Sequence, residues 1–174
     1  MEKLKYTSES DRAYGATGMA IGLVIYDGDD MLASVDLDAD PNDMVALSPD
    51  FYFAGNPGVS AKTAWNQILK NYNLGISMLM ANVLCRHLVA RRADVPEQLV
   101  GLLRSLACGE GRQSCELDED EVNRLFDKNY TYLRRVFSHH GVQSVAHDFA
   151  ATLISRRSLS RHDVLEQLSA LNML

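Results

Sequence analysis

The chain has 174 residues, of which 47% are hydrophobic and 23% charged, and its formal net charge at pH 7 is -6. This length fits one globular domain that can bury a core without disulfides or metals. The acidic charge argues against nucleic-acid binding by the chain as a whole. The three cysteines match neither a disulfide framework nor a Cys-x-x-Cys metal motif, which favours a reducing, cytoplasmic location.

The first third of the chain differs in composition from the rest. Residues 1–60 hold three Lys and Arg against 11 Asp and Glu, whereas residues 61–174 hold 14 against 12. The apolar run Thr17–Tyr26, the dipeptide Asp27-Gly28 and the alternating run Met31–Leu37 together predict a β-hairpin. The two glycines in the first run indicate a bulge or a close backbone approach, and the short run MVAL adds a third strand. We therefore expect an acidic, extended arm that is not an independent domain.

The stretch Ala61–Arg92 contains no proline and predicts one long helix, with Ser60 as its N-cap. At 1.5 Å per residue, it would measure about 48 Å, whereas a globule of this size is about 40 Å across. We expect it to span the body, project from it, or break near Asn71–Gly75, where helix propensity is low. Its apolar run is too short and too interrupted for a bilayer, which needs about 20 residues.

One face of this helix forms a continuous apolar seam. A second apolar set lies on another side of the helix, so we expect partners on two sides, or a second subunit against the seam. The seam is the predicted interface, and its residues follow one another at intervals of four and three: Trp65, Leu69, Tyr72, Ile76, Leu79 and Val83.

Shorter amphipathic helices follow, with capping-box signals at three of their starts. These are Asp94–Glu97 for a helix Val95–Cys108 that ends at Gly109 and Gly111, Asp118–Glu121 for a helix that stops at Gly141, and Ser160–Asp163 for the last helix; another helix spans Val142–Arg156. The predicted fold is mainly α. A bundle of about five helices in residues 61–174 surrounds the long helix, and an N-terminal β-hairpin arm precedes it.

Histidines concentrate in the last third, and two of them begin a His-Asp dipeptide. The segments HHGVQSVAHDFAATL and RHDVLE resemble the HD-domain phosphohydrolases, helical enzymes that bind metal through an upstream His, a His-Asp pair and a later Asp. The resemblance implies the metal ligands His140, His147, Asp148 and His162. It leaves the later Asp without a counterpart, because Asp163 is the last aspartate and a cap partner of Ser160. The alternative is that these are surface and helix-terminal histidines.

Residues 124–161 form a locally basic segment, with seven Lys and Arg against two acids. Two helices joined by a short turn within it predict a DNA-binding face. Alternatively, this face attracts the acidic arm of the same chain or of a partner subunit. The basic face consists of Arg134, Arg135, Arg156, Arg157 and Arg161.

The sequence contains no nucleophile elbow, no phosphate-binding loop and no His-Glu-x-x-His motif. The leading hypothesis is a non-catalytic, cytoplasmic protein of bacterial type, without a cofactor or a membrane segment, that acts through protein–protein contacts as a homo-oligomer. One alternative is a metal-dependent, phosphohydrolase-like helical enzyme that uses the C-terminal histidines. The other is a DNA-binding protein that uses the basic face.

Overall fold

A computed structural model describes residues 5–52 and 60–173. It confirms a mainly α fold with a small antiparallel sheet that includes a hairpin-like element near the N-terminus. In chain order, the elements are α1 Glu9–Ile25, β1 Leu32–Asp36, β2 Val45–Leu47, the one-turn α2 Pro49–Tyr52, α3 Ala61–Leu84, α4 Glu97–Cys115, α5 Glu119–Ser138, α6 His140–Arg156, β3 Ser158–Ser160 and α7 Arg161–Leu168.

The predicted first strand, Thr17–Tyr26, is wrong, because this segment belongs to helix α1. Ser8 caps the helix, and its hydroxyl accepts a hydrogen bond from the Asp11 amide at 3.1 Å. Residues on almost every side of α1 are buried against α3 and α6. A helix buried all round has no amphipathic period, so its glycines and β-branched residues resembled a strand. The predicted extended arm is therefore a helix of the core over these residues.

The Asp27-Gly28 dipeptide ends α1 instead of turning a hairpin. Asp27 has a left-handed backbone with φ 54°, and its amide donates to the Val24 carbonyl at 3.1 Å. The Gly28 amide donates to the Leu23 carbonyl at 2.9 Å. This pair of bonds is the Schellman arrangement, which closes a helix C-terminus. Helix stops and hairpin turns need the same residue types, so the dipeptide alone could not distinguish them.

The sheet has the strand order β2-β1-β3. Strands β1 and β2 confirm the second and third predicted strands, and Val35 pairs with Val45 across them. Strand β3 lies between α6 and α7 and pairs antiparallel with β1, where Val35 lies opposite Leu159. The sheet thus joins the acidic first third of the chain to its last helices.

Helix α3 runs without a break through Asn71–Gly75, which excludes one of the three alternatives left open by the sequence. It continues as a π-helical segment, Cys85–Ala90, and the 30 residues together extend about 45 Å. Ser60 caps it as predicted, because its hydroxyl accepts from the Thr63 amide at 3.3 Å. By length and composition, the stretch Ala61–Ala90 could cross a membrane, and 72% of the 18-residue window that meets this criterion is buried within the protein.

The capping boxes at Asp118–Glu121 and Ser160–Asp163 are confirmed. The third is wrong, because α4 begins at Glu97 with Pro96 as its N-cap and no side-chain capping bond. The predicted stop at Gly109 and Gly111 is also wrong, since α4 continues to Cys115. Gly111 lies inside the helix at a position that has no room for a larger residue. A Cβ there would come within 2.8 Å of the Tyr72 hydroxyl. This glycine serves close packing against α3 and not a helix end.

Candidate functional site

The predicted interface seam of α3 lies along an apolar groove of about 640 Å³. Tyr72, Ile76 and Leu79 line its floor, together with Ile68. Strand β2 and helix α4 form the walls, through residues that include Val45, Leu47, Leu106 and Ala107. Val83 is fully buried and Leu69 partly buried, and both pack in the core. The structure therefore places three of the six seam residues along the groove, where Tyr72 and Ile76 are largely buried, and the other three outside it.

Several polar groups of the groove already have partners within the protein. The Tyr72 hydroxyl donates to the Ala107 carbonyl at 2.9 Å, and burial raises its pKa to about 12, as do the nearby Cys115, Cys108 and Glu110. The Asn82 amide donates to the Tyr6 hydroxyl at 2.8 Å. Since these groups are satisfied, the groove offers apolar surface and shape more than directional hydrogen bonds.

The remaining seam residue, Trp65, projects beyond the groove. It is 39% exposed and, with Tyr132, is one of two exposed large hydrophobic residues in the described part of the chain. Ala61, Lys62 and Thr63 before it and Asn66 after it are also exposed. The first turn of α3 and one face of the second are therefore exposed, whereas Ile68 and Leu69 on the other face pack against the core.

A second, polar cleft of about 700 Å³ contains two of the four predicted metal ligands. His140 and His147 lie on α6 with Ser144 between them. Their spacing of four and three residues puts all three on one helix face. The opposite wall comes from the segment after α3, including Arg92 and Asp94. The cleft therefore joins the C-terminal end of the long helix to the first half of α6.

The other two predicted ligands lie elsewhere. Asp148 is exposed and does not line the cleft. His162 is exposed in the first turn of α7. No group of three or more His, Cys, Asp or Glu side chains that could hold a metal occurs among residues 5–52 and 60–173. Of the four residues that the sequence grouped, the structure thus brings His140 and His147 to one cleft and places Asp148 and His162 outside it.

His147 has a partner that sequence reasoning missed. Its Nδ1 lies 2.6 Å from the Tyr14 hydroxyl, and the two rings meet edge to face at 5.6 Å. Burial raises the pKa of Tyr14, with a further contribution from Cys85, so the phenol keeps its proton at neutral pH. The two residues are 133 positions apart and no local pattern connects them. Arg92 was also missed, because its only signal was its place at the end of the long helix.

The carboxylate that lines this cleft already has an ion-pair partner, as does the one bound to the neighbouring Arg91. Asp94 pairs with Arg134 at 2.8 Å. Asp11 pairs with Arg86 at 2.6 Å and with Arg91 at 3.0 Å. Arg92, by contrast, has no ion pair with any described residue. Arg92 is therefore a cation of the cleft lining that has no charged partner among the described residues.

The predicted basic face is mostly occupied within the chain. Arg157 pairs with Asp38 and, at 2.9 Å, with Glu9, and Arg161 donates to the Asp29 carbonyl at 3.2 Å. Arg156 pairs with Asp163 and Arg134 with Asp94. Of the five arginines, Arg135 and Arg161 have no ion-pair partner among the described residues. Contacts to the acidic first third of the same chain were one of the predicted uses of this face.

Two of the three cysteines, Cys85 and Cys115, are not placed for nucleophilic chemistry. All three are free thiols. Cys85 is fully buried, and burial raises its pKa far above the ordinary value. Burial also raises the pKa of Cys115, with a contribution from Glu110. Thiols with raised pKa values stay protonated and react slowly.

Comparisons with protein-family models, with curated proteins and with solved structures find no significant match to this chain.

Proposed function

We propose that this protein is a non-catalytic, cytoplasmic protein that acts through protein–protein contact and pairs with a second copy of itself. The observation that carries the proposal is the apolar groove beside α3 together with the exposed Trp65 on the same helix. Trp65 lies one turn before Ile68, which lines the groove. A surface with both a projecting aromatic residue and an apolar groove can complement itself.

A two-fold symmetric dimer would contain this contact twice. If Trp65 of one copy enters the groove of the other, symmetry repeats the same contact in the opposite direction. The two α3 helices would then lie antiparallel across the axis. Buried aromatic residues of this kind supply much of the binding energy of protein interfaces.

The charges around the groove support a second copy as the occupant. The first ten residues of α3, residues 61–70, contain Lys62 and Lys70, both exposed, and no acid. Glu110 of α4 lines the groove. Asp40 and Asp43, both exposed, flank the two loop residues that line it. Lysines of one copy would therefore face carboxylates of the other, which favours this orientation over alternatives.

The cytoplasmic part of the proposal is supported by the three free cysteines. Disulfides are rare in reducing compartments, and an oxidising compartment would expose the half-buried Cys108 to oxidation.

Size-exclusion chromatography with light scattering tests the pairing. We expect a dimer at micromolar concentration, and we expect Trp65→Ser to raise the dimer dissociation constant about 30-fold, the effect of losing about 2 kcal/mol at an interface hot spot. Tyr132→Ser is the matched control, because Tyr132 is also an exposed aromatic residue, at 45%, but lies on α5 and does not line the groove. A monomer at micromolar concentration contradicts the proposal.

Charge-reversal variants test whether a second copy of the chain occupies the groove. Lys62→Glu with Lys70→Glu is expected to weaken the dimer, and Glu110→Lys in the same chain is expected to restore part of the affinity. A dimer that withstands Trp65→Ser and all charge reversals would use another surface. A monomer whose groove takes up an apolar peptide would instead assign the groove to a different partner.

A further inference from the structure

The polar cleft between the end of α3 and the face of α6 is suited to an anion. Its charged and hydrogen-bonding side chains include Arg92, His140, Ser144 and His147. Its one carboxylate, Asp94, is held by Arg134 at 2.8 Å. A cation site needs free carboxylates or several converging imidazoles, and no such group occurs among the described residues. The chemistry of the cleft therefore fits a negatively charged ligand.

The Tyr14 contact fixes how His147 faces the cleft. Its Nδ1 is engaged by the Tyr14 hydroxyl at 2.6 Å, which leaves Nε2 for a ligand. When the phenol donates to Nδ1, a neutral imidazole carries its proton on Nε2. His147 then presents an N–H donor to the cleft whether or not it is charged. Ser144 adds a hydroxyl one turn away on the same helix face.

Arg92 supplies the charge, from an unusual backbone position. It has φ 52° and follows the π-helical segment, where the Ala93 amide donates to the His87 carbonyl at 3.0 Å. Glycine is the residue that such left-handed helix ends favour. The side chain of Arg92 is exposed and lines the cleft. An arginine held in a conformation that favours glycine is a candidate for a side-chain role.

We propose that this cleft binds the oxyanion group of a small molecule, a phosphate or a carboxylate, between the Arg92 guanidinium and His147, with Ser144 and His140 as further donors. Arginine matches both anions because its planar guanidinium donates two parallel hydrogen bonds. Tyr14 is a positioning residue, because it acts through the His147 ring. The site is independent of the groove, which lies along an earlier part of α3.

Titration with inorganic phosphate, and separately with acetate, tests the site and distinguishes the two anions. Binding is followed by calorimetry and by the ring signals of isotopically labelled histidines. We expect saturable binding of at least one anion, with shifts at His147 and His140. Arg92→Gly and His147→Gln should each weaken it about tenfold or more, the scale of one charge-assisted hydrogen bond. Whether the protein binds phosphate, acetate or both then defines the ligand class.

Arg92→Gly separates binding from folding. Glycine relieves the left-handed backbone, so this variant should keep or raise the unfolding temperature while it loses anion affinity. Arg135→Gln is the charge-matched control, because Arg135 is exposed on α5 and does not line the cleft. Tyr14→Phe should change the nitrogen chemical shifts that report which ring nitrogen of His147 is protonated.

Two results overturn the proposal. One is the absence of saturable binding of either anion at millimolar concentration. The other is binding that Arg92→Gly and His147→Gln leave unchanged, or that Arg135→Gln weakens equally, since either would place the anion elsewhere. In the latter cases, Arg92 serves only to complement the negative end of the α3 helix dipole.

Discussion

A buried ion pair connects the first turn of α1 to the end of α3. Arg86 and Asp11 are only 5% and 6% exposed, and the guanidinium donates to both carboxylate oxygens, at 2.9 and 2.6 Å. The Tyr6 ring covers the guanidinium at 4.6 Å, and the Lys5 carbonyl accepts a further hydrogen bond at 2.9 Å. Burial raises the pKa of Asp11, but hydrogen bonds from Arg86 and Thr7 and the charges of Arg86 and Arg91 outweigh it and lower the pKa to about 2.

Because both groups are desolvated, removing one is expected to be costly. Arg86→Met should lower the free energy of unfolding by about 3–5 kcal/mol, since it leaves a buried carboxylate with only the half-exposed Arg91 as partner. Denaturant titration measures the change. The double variant Arg86→Met, Asp11→Leu should lose less than Arg86→Met alone.

An exposed ion pair provides the control for this prediction. Arg134→Gln removes the surface pair with Asp94 and should change the stability by less than about 1 kcal/mol. Equal effects of Arg86→Met and Arg134→Gln would mean that the buried pair is hydrated in solution. A double variant that is less stable than both single variants would also contradict the prediction.

At the scale of elements, the contact between α1 and α3 depends on glycine. A Cβ at Gly18 would come within 2.7 Å of the Cβ of Cys85 and closer still to the Ala81 carbonyl. A Cβ at Gly22 would come within 2.7 Å of the Ala81 Cβ. At these glycines, the backbone of α1 therefore packs directly against α3 and the segment that follows it. The glycine pattern had indicated either a bulge or a close backbone approach, and the structure contains the second.

Alanine substitution measures this close approach. Gly18→Ala should destabilise the protein by about 1–3 kcal/mol, the usual effect of overpacking, because a backbone carbonyl cannot move aside as a side chain can. Gly101→Ala is the matched control. Gly101 is inside α4, and a Cβ there would meet nothing within 4 Å, so alanine should stabilise the protein by about 0.5–1 kcal/mol. Thermal and denaturant unfolding of both variants gives the difference, and a stabilising Gly18→Ala would contradict the packing.

At the scale of the whole molecule, α1 is the element that makes the core continuous. It supplies Ala13, Ala16, Ala20, Ile21 and Leu23, all fully buried, and it packs against both α3 and α6. The sheet and the ion pairs of Arg157 add further contacts between the first and last thirds. Residues 61–174 alone would leave the apolar faces of α3 and α6 exposed to water.

We therefore expect the fragment 61–174 not to unfold cooperatively by circular dichroism, and to bind a dye for exposed apolar surface. Adding a peptide of residues 5–28 should recover part of the native signal, because it contains α1 with its cap and its Schellman end. A fragment that unfolds cooperatively, near the temperature of the full chain, would instead make residues 61–174 an independent domain.

Local signals in the sequence were enough for the later helices. The caps at Ser60, Asp118 and Ser160 and the apolar periods after them predicted α3, α5 and α7. Helices α5 and α7 have one exposed and one buried face, as does the first half of α3. Strands β1 and β2 followed from alternation in the same way. Three residues of the seam predicted from the sequence, Tyr72, Ile76 and Leu79, line the groove. The sequence analysis gave His140 and His147 as metal ligands, whereas we propose that their cleft binds an anion.

Only the tertiary structure determined α1, the groove and the polar cleft. Helix α1 is buried on nearly all sides, so its sequence lacks the period that reveals a helix. Asp11 with Arg86 and Tyr14 with His147 are 75 and 133 residues apart, and pairings at such separations leave no trace in local spacing. The sequence by itself determined which segments form amphipathic helices, since that depends on neighbours within one or two turns. Which charged and aromatic side chains meet depends on how those helices pack.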